Sequence, residues 1–262
     1  MLYRFSHALP YRSLLILLWL FTQEVSWMPE FTKPAWAQDL NPRIIRFGGH
    51  RWMVKSGSGL APANNNWSDD ERSVWIGTDG KLHLQVRYQE GKPYSAQIIS
   101  TDFAAYGLYR FYIESPVNKL DANVVLGLFL YADDQNEIDI ELKHEAGSAD
   151  NAQYVMQPST TAGNRRTFPL DHDGPTIHEI DWQENYVAFR SIAGDNPVSG
   201  EVLQEWRYEK QSIPADDKQL RIEVNLWLVN PNAQTQPVEV VIEDLENVAC
   251  PNLLPPAPGQ VG

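Results

Sequence analysis

Residues 124–143 read VVLGLFLYADDQNEIDIELK, and this stretch contains the features that decide the fold. Its first part, residues 124–130, is apolar almost throughout, which is typical of a strand covered on both sides in the middle of a sheet. Residues 137–141 alternate acidic and aliphatic side chains with the two-residue period of a β-strand. The polar segment 133–136 between them is a turn signal. The stretch therefore predicts a hairpin in mid-sheet.

The alternation places three carboxylates on one face of the second strand. Glu137, Asp139 and Glu141 point one way, and Ile138 and Ile140 point the other way. Asp and Glu are poor strand formers and like charges along one strand repel, so an ordinary solvent-facing strand does not need this pattern. Cleavage of a glycosidic bond needs one carboxylate that attacks and one carboxylic acid that protonates the leaving oxygen. A row of acids facing a groove supplies both groups.

Two other interpretations of the three acids stay open. One is a solvent-facing acidic strand without a function, and the other is a calcium site, since hard cations also bind clustered carboxylates. Calcium sites usually take ligands from loops with carbonyl oxygens, whereas these acids alternate along one strand. Because carboxylates this close do not all ionise at their ordinary pKa, we expect one proton to be retained, with Asp139 tuning the arrangement by hydrogen bonding.

The rest of the chain is a succession of short strand-like segments separated by turn residues. Segments 81–88 and 220–228 alternate apolar and polar residues, as half-buried strands do. We therefore predict an all-β fold, namely a curved two-sheet antiparallel β-sandwich of the jelly-roll type. The predicted strands are 51–55, 73–77, 81–88, 95–101, 107–115, 123–131, 137–143, 152–157, 176–182, 186–192, 202–208, 220–229 and 238–245.

The composition is that of a globular protein, and the first residues resemble an export signal. The chain has 262 residues, 43% of them hydrophobic, and a net charge of −13, which argues against a nucleic-acid partner. Residues 1–37 are typical of a signal peptide, with basic Arg4 and Arg12, an apolar segment 14–21 and Ala-Trp-Ala at 35–37. We expect a secreted or periplasmic protein that contacts a membrane only through an uncleaved leader.

The predicted mature part is one jelly-roll domain over residues 38–250, followed by a Pro- and Gly-rich tail over 251–262. The single cysteine, Cys250, excludes an intrachain disulfide, a thiolate zinc site and an iron–sulfur cluster. We expect a monomer whose partner is a polysaccharide substrate and whose catalysis requires no cofactor.

The acidic strand and its surroundings resemble glycoside hydrolase family 16, the family of laminarinases and lichenases. The similarity covers roughly residues 48–246, in order, and Glu137-Ile-Asp-Ile-Glu141 matches the catalytic signature of the family. The flanking segments that agree are Asn64–Ser68, Tyr94–Ser100, His178–Trp182 and Asn225–Trp227. The resemblance implies a concanavalin-like jelly roll and a retaining endo-mechanism. In that mechanism Glu137 is the nucleophile, Glu141 is the acid/base and Asp139 is the assisting carboxylate.

The resemblance also implies a set of substrate-binding residues and a substrate class. The residues are Asn66, Trp67, Tyr94, Tyr154, Gln157 and Trp182. A structural calcium ion is frequent in the family. Gln97 stands where the family has an acid, which blurs substrate specificity among β-glucans, galactans and xyloglucan, and we favour a β-1,3- or mixed-linkage β-glucan. The alternatives are a transglycosylase of the same fold, which shares the covalent intermediate, and a non-catalytic carbohydrate-binding module, which would not need all three acids.

Overall fold

The computed structural model describes residues 42–143 and 148–249. The predicted signal peptide, Cys250 and the predicted tail lie outside the described residues, so these remain predictions. Within the described ranges the regular structure consists of eighteen β-strands and one 3-10 helix, Asp216–Lys218, which confirms the all-β class. No helix in this part of the chain is long and apolar enough to cross a membrane.

Two antiparallel sheets form a sandwich. Sheet 1 contains, in spatial order, β1 (Ile44–Phe47), β2 (His50–Val54), β8 (Ala96–Ser100), β17 (Arg221–Leu228), β10 (Val124–Asp133), β11 (Asn136–Lys143), β12 (Ala152–Met156) and β13 (Arg165–Phe168). Sheet 2 contains β16 (Val202–Tyr208), β15 (Val187–Ala193), β14 (Thr176–Trp182), β9 (Gly107–Ile113), β18 (Val238–Ala249), β6 (Leu82–Gln89) and β5 (Val74–Ile76), and β7 (Lys92–Tyr94) also pairs with β6. A separate hairpin joins β3 (Gly57–Leu60) to β4 (Asn65–Trp67).

One apolar core lies between the two sheets. Sheet 1 contributes alternate residues of its central strands, such as Leu128 on β10 and Ile140 on β11, and sheet 2 contributes residues such as Phe111 and Ile180. All four are fully buried. Burial of a large apolar side chain stabilises a fold by about 1.5–3 kcal/mol. Because a one-residue slip of a strand would exchange its two faces, this burial fixes which side of β11 carries the acids.

The predicted hairpin is confirmed, and it lies in mid-sheet as expected. β10 pairs with β11 on one side and with β17 on the other. Phe129 of β10 is therefore flanked by Asp139 of β11 and Glu223 of β17. All three belong to the face of sheet 1 opposite the core, which we call the outer face. The register thus brings side chains far apart in the sequence onto one surface.

Each of the thirteen predicted strands has a counterpart in the structure, but the sequence analysis missed five others. These are β1, β3, β4, β7 and β13, which contain three or four residues each. A strand this short spans too few residues to establish an alternating pattern, and its pairing depends on the neighbouring strand.

Candidate active site

Strand β11 places the three acids on the outer face of sheet 1. Ile138 and Ile140 are fully buried in the core, as their alternation with the acids predicts. Asp139 is 6% exposed, whereas Glu137 and Glu141 are half-buried. The shared face of the acids is therefore confirmed, and it is not a freely hydrated surface.

Asp139 lies between two apolar side chains. Phe129 of β10 is its neighbour on one side and Val155 of β12 is its neighbour on the other, and both are more than nine-tenths buried. Asp139 Oδ2 is buried and accepts no hydrogen bond from an N–H or hydroxyl donor of the described residues. Burial, followed by the negative charge of Glu137, raises the pKa of Asp139 well above its ordinary value. A bare carboxylate in this position would be strongly destabilised, so burial favours the protonated form of Asp139.

Glu137 shares a hydrogen bond with Asp139. Burial raises the pKa of Glu137 to about 7, the hydrogen bond with Asp139 lowers it, and the charge of Glu141 raises it. Because Asp139 is the more deeply buried of the two, the shared proton stays on Asp139, whose O–H donates to the Glu137 carboxylate. The pair therefore holds one proton on Asp139, and Glu137 becomes ionised as the pH rises through its pKa of about 7.

Glu141 lies on the same face, between Gln153 of β12 and Gly127 of β10. Gln153 of β12 donates a short hydrogen bond from Nε2 to Glu141 Oε2, and Lys143 Nζ lies 3.6 Å from the same oxygen. On the other side β10 presents Gly127, where a Cβ would come within 2.5 Å of Asn225 Oδ1. That Asn225 oxygen is buried and has no hydrogen-bond donor among the described residues. The lack of a side chain at Gly127 therefore lets the Asn225 amide approach the backbone beside Glu141.

A second polar cluster lies on the outer face of sheet 1. Lys55 Nζ donates to Gln97 Oε1 at 2.9 Å, and Gln97 Nε2 donates to Glu223 Oε2 at 2.5 Å. Burial raises the pKa of Glu223 to about 8 and lowers the pKa of Lys55 to about 8, the opposite responses expected of a buried anion and a buried cation. Phe129 separates Glu223 from Asp139. Glu223 of the adjacent strand β17 therefore supplies a carboxyl group next to Gln97.

The site residues predicted from the sequence do not include this cluster. The alternation of segment 220–228 does place Glu223 and Asn225 on the polar face of their strand, and that signal was available. The pairing of β17 with β10 was not available, because the two strands are almost 90 residues apart in the chain. Without that pairing, nothing connects Glu223 with the acids of β11.

The structure brings one predicted substrate-binding residue to the acids and places two others elsewhere. The Gln157 backbone N–H donates to Glu137 O at 3.1 Å, and its side chain interacts with Asp139. Asn66 and Tyr94 are half-buried and line an open cleft formed by loops at the ends of the strands. Gln157 is thus the predicted binding residue whose contacts connect it directly to the candidate active site.

The predictions for Tyr154 and Trp182 are wrong, because both side chains are fully buried in the core between the sheets. Tyr154 pairs with Ile140 and shares its core-facing side, and its hydroxyl lies 2.7 Å from Ser191 Oγ. Trp182 Nε1 donates to Pro214 O at 3.0 Å. Both polar groups are satisfied inside the protein, so neither side chain is available to a polysaccharide.

Trp67 is also unavailable as a platform for a sugar ring. Its side chain is 2% exposed, and Lys55 Nζ lies 4.1 Å from the ring centroid, in cation–π contact with the ring. The lysine covers the aromatic face that a sugar would need. The prediction that Trp67 binds substrate is therefore corrected as well.

The described residues, 42–143 and 148–249, contain no group of three or more His, Cys, Asp or Glu arranged to hold a metal ion. The three acids of β11 accordingly do not form such a group. The structural calcium ion implied by the resemblance stays a prediction without assigned ligands.

Comparison with known proteins identifies the fold. No protein-family model and no curated protein matches the sequence. A β-1,3-glucanase from Mycobacterium marinum is 17% identical, with a TM-score of 0.59, covering 75% of this chain and 90% of that chain. A Bacillus licheniformis β-glucanase is 18% identical, with a TM-score of 0.56 and coverages of 75% and 91%. A Bacteroides ovatus mixed linkage glucan GH16 protein, in complex with a G4G4G3G product, is 16% identical, with a TM-score of 0.57 and coverages of 75% and 94%. The chain therefore has the jelly-roll fold of these glucanases, as the laminarinase- and lichenase-like resemblance of its sequence implied.

Proposed function

We propose that the protein is a retaining, endo-acting glycoside hydrolase whose substrate is a β-1,3- or mixed-linkage β-glucan. The observation that carries the proposal is the row of Glu137, Asp139 and Glu141 on the outer face of a central strand, with the middle acid almost fully buried. The fold shared with β-glucanases supports the substrate class.

In the first chemical step, Glu137 and Glu141 act on opposite sides of the same bond. The Glu137 carboxylate attacks the anomeric carbon, and the bond from that carbon to the leaving oxygen breaks. Glu141 is protonated in the reactive form and donates that proton to the leaving oxygen, so the departing sugar leaves as an alcohol. The Asp139 O–H holds the attacking carboxylate in place and stabilises its ionised form.

In the second step, water replaces the enzyme at the same carbon. Glu141, now a carboxylate, removes a proton from water, and the resulting oxygen nucleophile displaces Glu137. Two inversions at one carbon give net retention of the β-configuration. Transfer to a sugar hydroxyl instead of water would use the same intermediate, which is why product analysis with an acceptor sugar distinguishes hydrolysis from transglycosylation.

The residue types of the row suit the short separation that retention requires. On an extended strand the Cα atoms of Glu137 and Glu141 lie about 13 Å apart, because each residue advances the chain by roughly 3.3 Å. Retaining enzymes need carboxyl groups about 5–5.5 Å apart. The longer side chains of Glu137 and Glu141 must therefore incline toward each other. The shorter Asp139 side chain between them stays close to the sheet and leaves the space above it for the sugar.

Charge favours a neutral glucan over an anionic polysaccharide. The chain has a net charge of −13, and the ionised Glu137 carboxylate lies at the proposed cleavage point. This field would repel sulfated or carboxylated chains. The predicted leader supports a place of action outside the cytoplasm, and we propose that the protein works there as a monomer.

The test is a panel of neutral and anionic polysaccharides, with reducing ends and product lengths measured with and without an acceptor sugar. We expect internal cleavage of β-1,3- or mixed-linkage β-glucan, and loss of cleavage in Glu137→Gln and in Glu141→Gln. Glu205→Gln is the matched control, because Glu205 is an exposed acid on β16 of sheet 2. Absence of cleavage across the panel by folded wild-type protein, or full activity of Glu137→Gln, would refute the proposal.

A further inference from the structure

An open cleft with a volume of about 1,120 Å³ lies between three loops of the sandwich. Its walls are the β3–β4 hairpin, the β6–β7 turn and the segment between β17 and β18. We call it the amide cleft, because its lining includes the side chains of Asn64, Asn66, Asn230, Asn232, Gln234 and Gln236. The volume slightly exceeds the roughly 300–1,000 Å³ of pockets that hold drug-sized molecules, so it admits a short oligosaccharide segment.

The lining of the amide cleft is almost uncharged. Lys92 is the one charged residue among the eighteen described residues that line it, although the chain as a whole carries a net charge of −13. A surface of amides and hydroxyls recognises a neutral ligand rich in hydroxyl groups, since each amide offers two N–H donors and a carbonyl acceptor. Tyr88 and Tyr94 also line the cleft and supply aromatic surface for the apolar face of a sugar ring.

Three of the amides have no partner among the described residues. The side chains of Asn232, Gln234 and Gln236 make no hydrogen bond to the described part of the protein, and all three residues are exposed. By contrast, the Asn66 side chain is held by Pro93 O at 3.2 Å. The unpaired groups are therefore available to a ligand without breaking a protein contact.

The loop that carries these amides is fixed from beneath. Asn123 donates from Nδ2 to Asn230 O at 2.9 Å and to Thr235 Oγ1 at 2.7 Å, and its Oδ1 accepts from Asn230 N at 2.7 Å. The Thr235 N–H donates to the Tyr88 hydroxyl at 3.0 Å, and Thr235 is 7% exposed. Both ends of the segment from 230 to 235 are therefore anchored. Binding to an anchored loop loses less conformational entropy than binding to a mobile one.

The amide cleft continues from strands that form the outer face of sheet 1. β17 carries Glu223 and Asn225, and the chain then enters the cleft wall at Val229. Val229 lies about 13 Å beyond Asn225, because each residue of a strand advances the chain by roughly 3.3 Å. A second connection runs through Tyr94, which lines the cleft and precedes Gln97 of the outer face by three residues. β10 separates β17 from β11, which adds roughly 10 Å across the sheet. A chain that is cleaved at the acids would thus reach the cleft with sugar units well away from the broken bond.

We propose that the amide cleft is a distal carbohydrate-binding site, which binds a neutral glucan segment remote from the bond that is cleaved. The proposal rests on the proposed function for the identity of the chain, and on the amides, their anchored loop and the neutral lining for the site itself. It predicts an enzyme that prefers long substrates, because only they reach the acids and the cleft at once.

The double variant Asn232→Ala/Gln234→Ala tests the site, with Gln211→Ala as the matched control because Gln211 is an exposed amide outside the cleft. The ratio of kcat/KM on polymeric β-glucan to kcat/KM on a short β-gluco-oligosaccharide is measured for each protein. We expect the double variant to lower this ratio about tenfold through the loss of two hydrogen-bonding groups, and the control to leave it unchanged. A ratio unchanged in the double variant would overturn the proposal.

A binding assay separates the failure of this inference from the failure of the proposed function. Native gels containing neutral β-glucan or carboxymethylated β-glucan are run with Glu137→Gln protein, with and without the double substitution. We expect the neutral glucan to retard the parent and the double substitution to reduce that retardation. If the wild-type protein cleaves no glucan, the proposed function fails. The gels still show whether the amide cleft binds glucan. Equal mobilities of the parent and of the protein with the double substitution in neutral glucan would overturn the proposed binding site. Retardation by the anionic glucan alone would overturn it as well.

Discussion

Replacement of Asp139 by alanine removes the proton donor that stabilises the Glu137 carboxylate. In the native protein Asp139 is 6% exposed, protonated and hydrogen-bonded to Glu137. Glu137 must be ionised to attack, so the acid limb of the pH profile of kcat/KM reports its pKa, which is about 7. The hydrogen bond favours the ionised form. Its loss raises the pKa of Glu137, and activity should then require a higher pH.

The size of the shift follows from the strength of the hydrogen bond. A hydrogen bond to a charged group contributes about 1.5–3 kcal/mol, and one pKa unit corresponds to about 1.4 kcal/mol. We therefore expect the acid limb of Asp139→Ala to lie about one to two pH units above that of the wild type. Asp139→Asn keeps the size of the side chain and a neutral N–H donor, so its acid limb should lie between the other two.

The assay is kcat/KM on β-glucan from about pH 4 to pH 10 for the three proteins, with circular dichroism and thermal melting to verify folding. The order of the acid limbs should be wild type, Asp139→Asn and Asp139→Ala, from low to high pH. Folded variants whose acid limbs coincide with that of the wild type, or lie at lower pH, would refute the reasoning that Asp139 donates a proton to Glu137.

Three further perturbations follow from the same contacts. Glu141→Ala should lower kcat by about 10²–10⁴-fold on glucan, and much less on an aryl glycoside whose leaving group needs no proton; an equal loss on both substrates would contradict an acid role. Lys55→Met should destabilise the fold by about 1–3 kcal/mol in urea unfolding, because it removes the donor to the Gln97 carbonyl oxygen and the cation that favours the ionised form of Glu223, and Lys55→Met/Glu223→Gln should recover part of that loss; a double variant as unstable as the single would refute the coupling. Gly127→Ala would place a Cβ within 2.5 Å of Asn225 Oδ1, and we expect a loss of about 1–3 kcal/mol in stability together with a raised KM, because Asn225 must shift beside Glu141; a variant with native melting and native KM would contradict this close approach of Asn225 to Gly127.

The hairpin and its acidic face were predictable from local sequence. The apolar run of β10 and the strict alternation of β11 are each sufficient to define a strand, and burial of Ile138 and Ile140 leaves the acids one possible face. The central position of the hairpin also followed, because a strand that is apolar on both sides needs cover on both sides.

The roles of individual aromatic residues were not predictable in the same way. Tyr154 and Trp182 lie in strands whose inward face is set by the register with neighbouring strands, and a large aromatic side chain suits a core as well as a binding surface. Trp67 is covered by Lys55, twelve residues away in the chain. The Glu223 cluster required the pairing of β17 with β10, which no local pattern contains.

The central claim is that Glu137 forms a covalent bond to the sugar. A β-glucoside oligomer with a 2-fluoro substituent and a good leaving group should accumulate as a glycosyl–enzyme, because the fluorine slows both steps and the good leaving group restores the rate of the first step alone. Mass spectrometry of the intact protein and of its peptides measures the adduct and its position. We predict one glycosyl adduct per chain, on Glu137. An adduct on Glu141, or no adduct from a reagent that the enzyme turns over with inversion, would contradict the account.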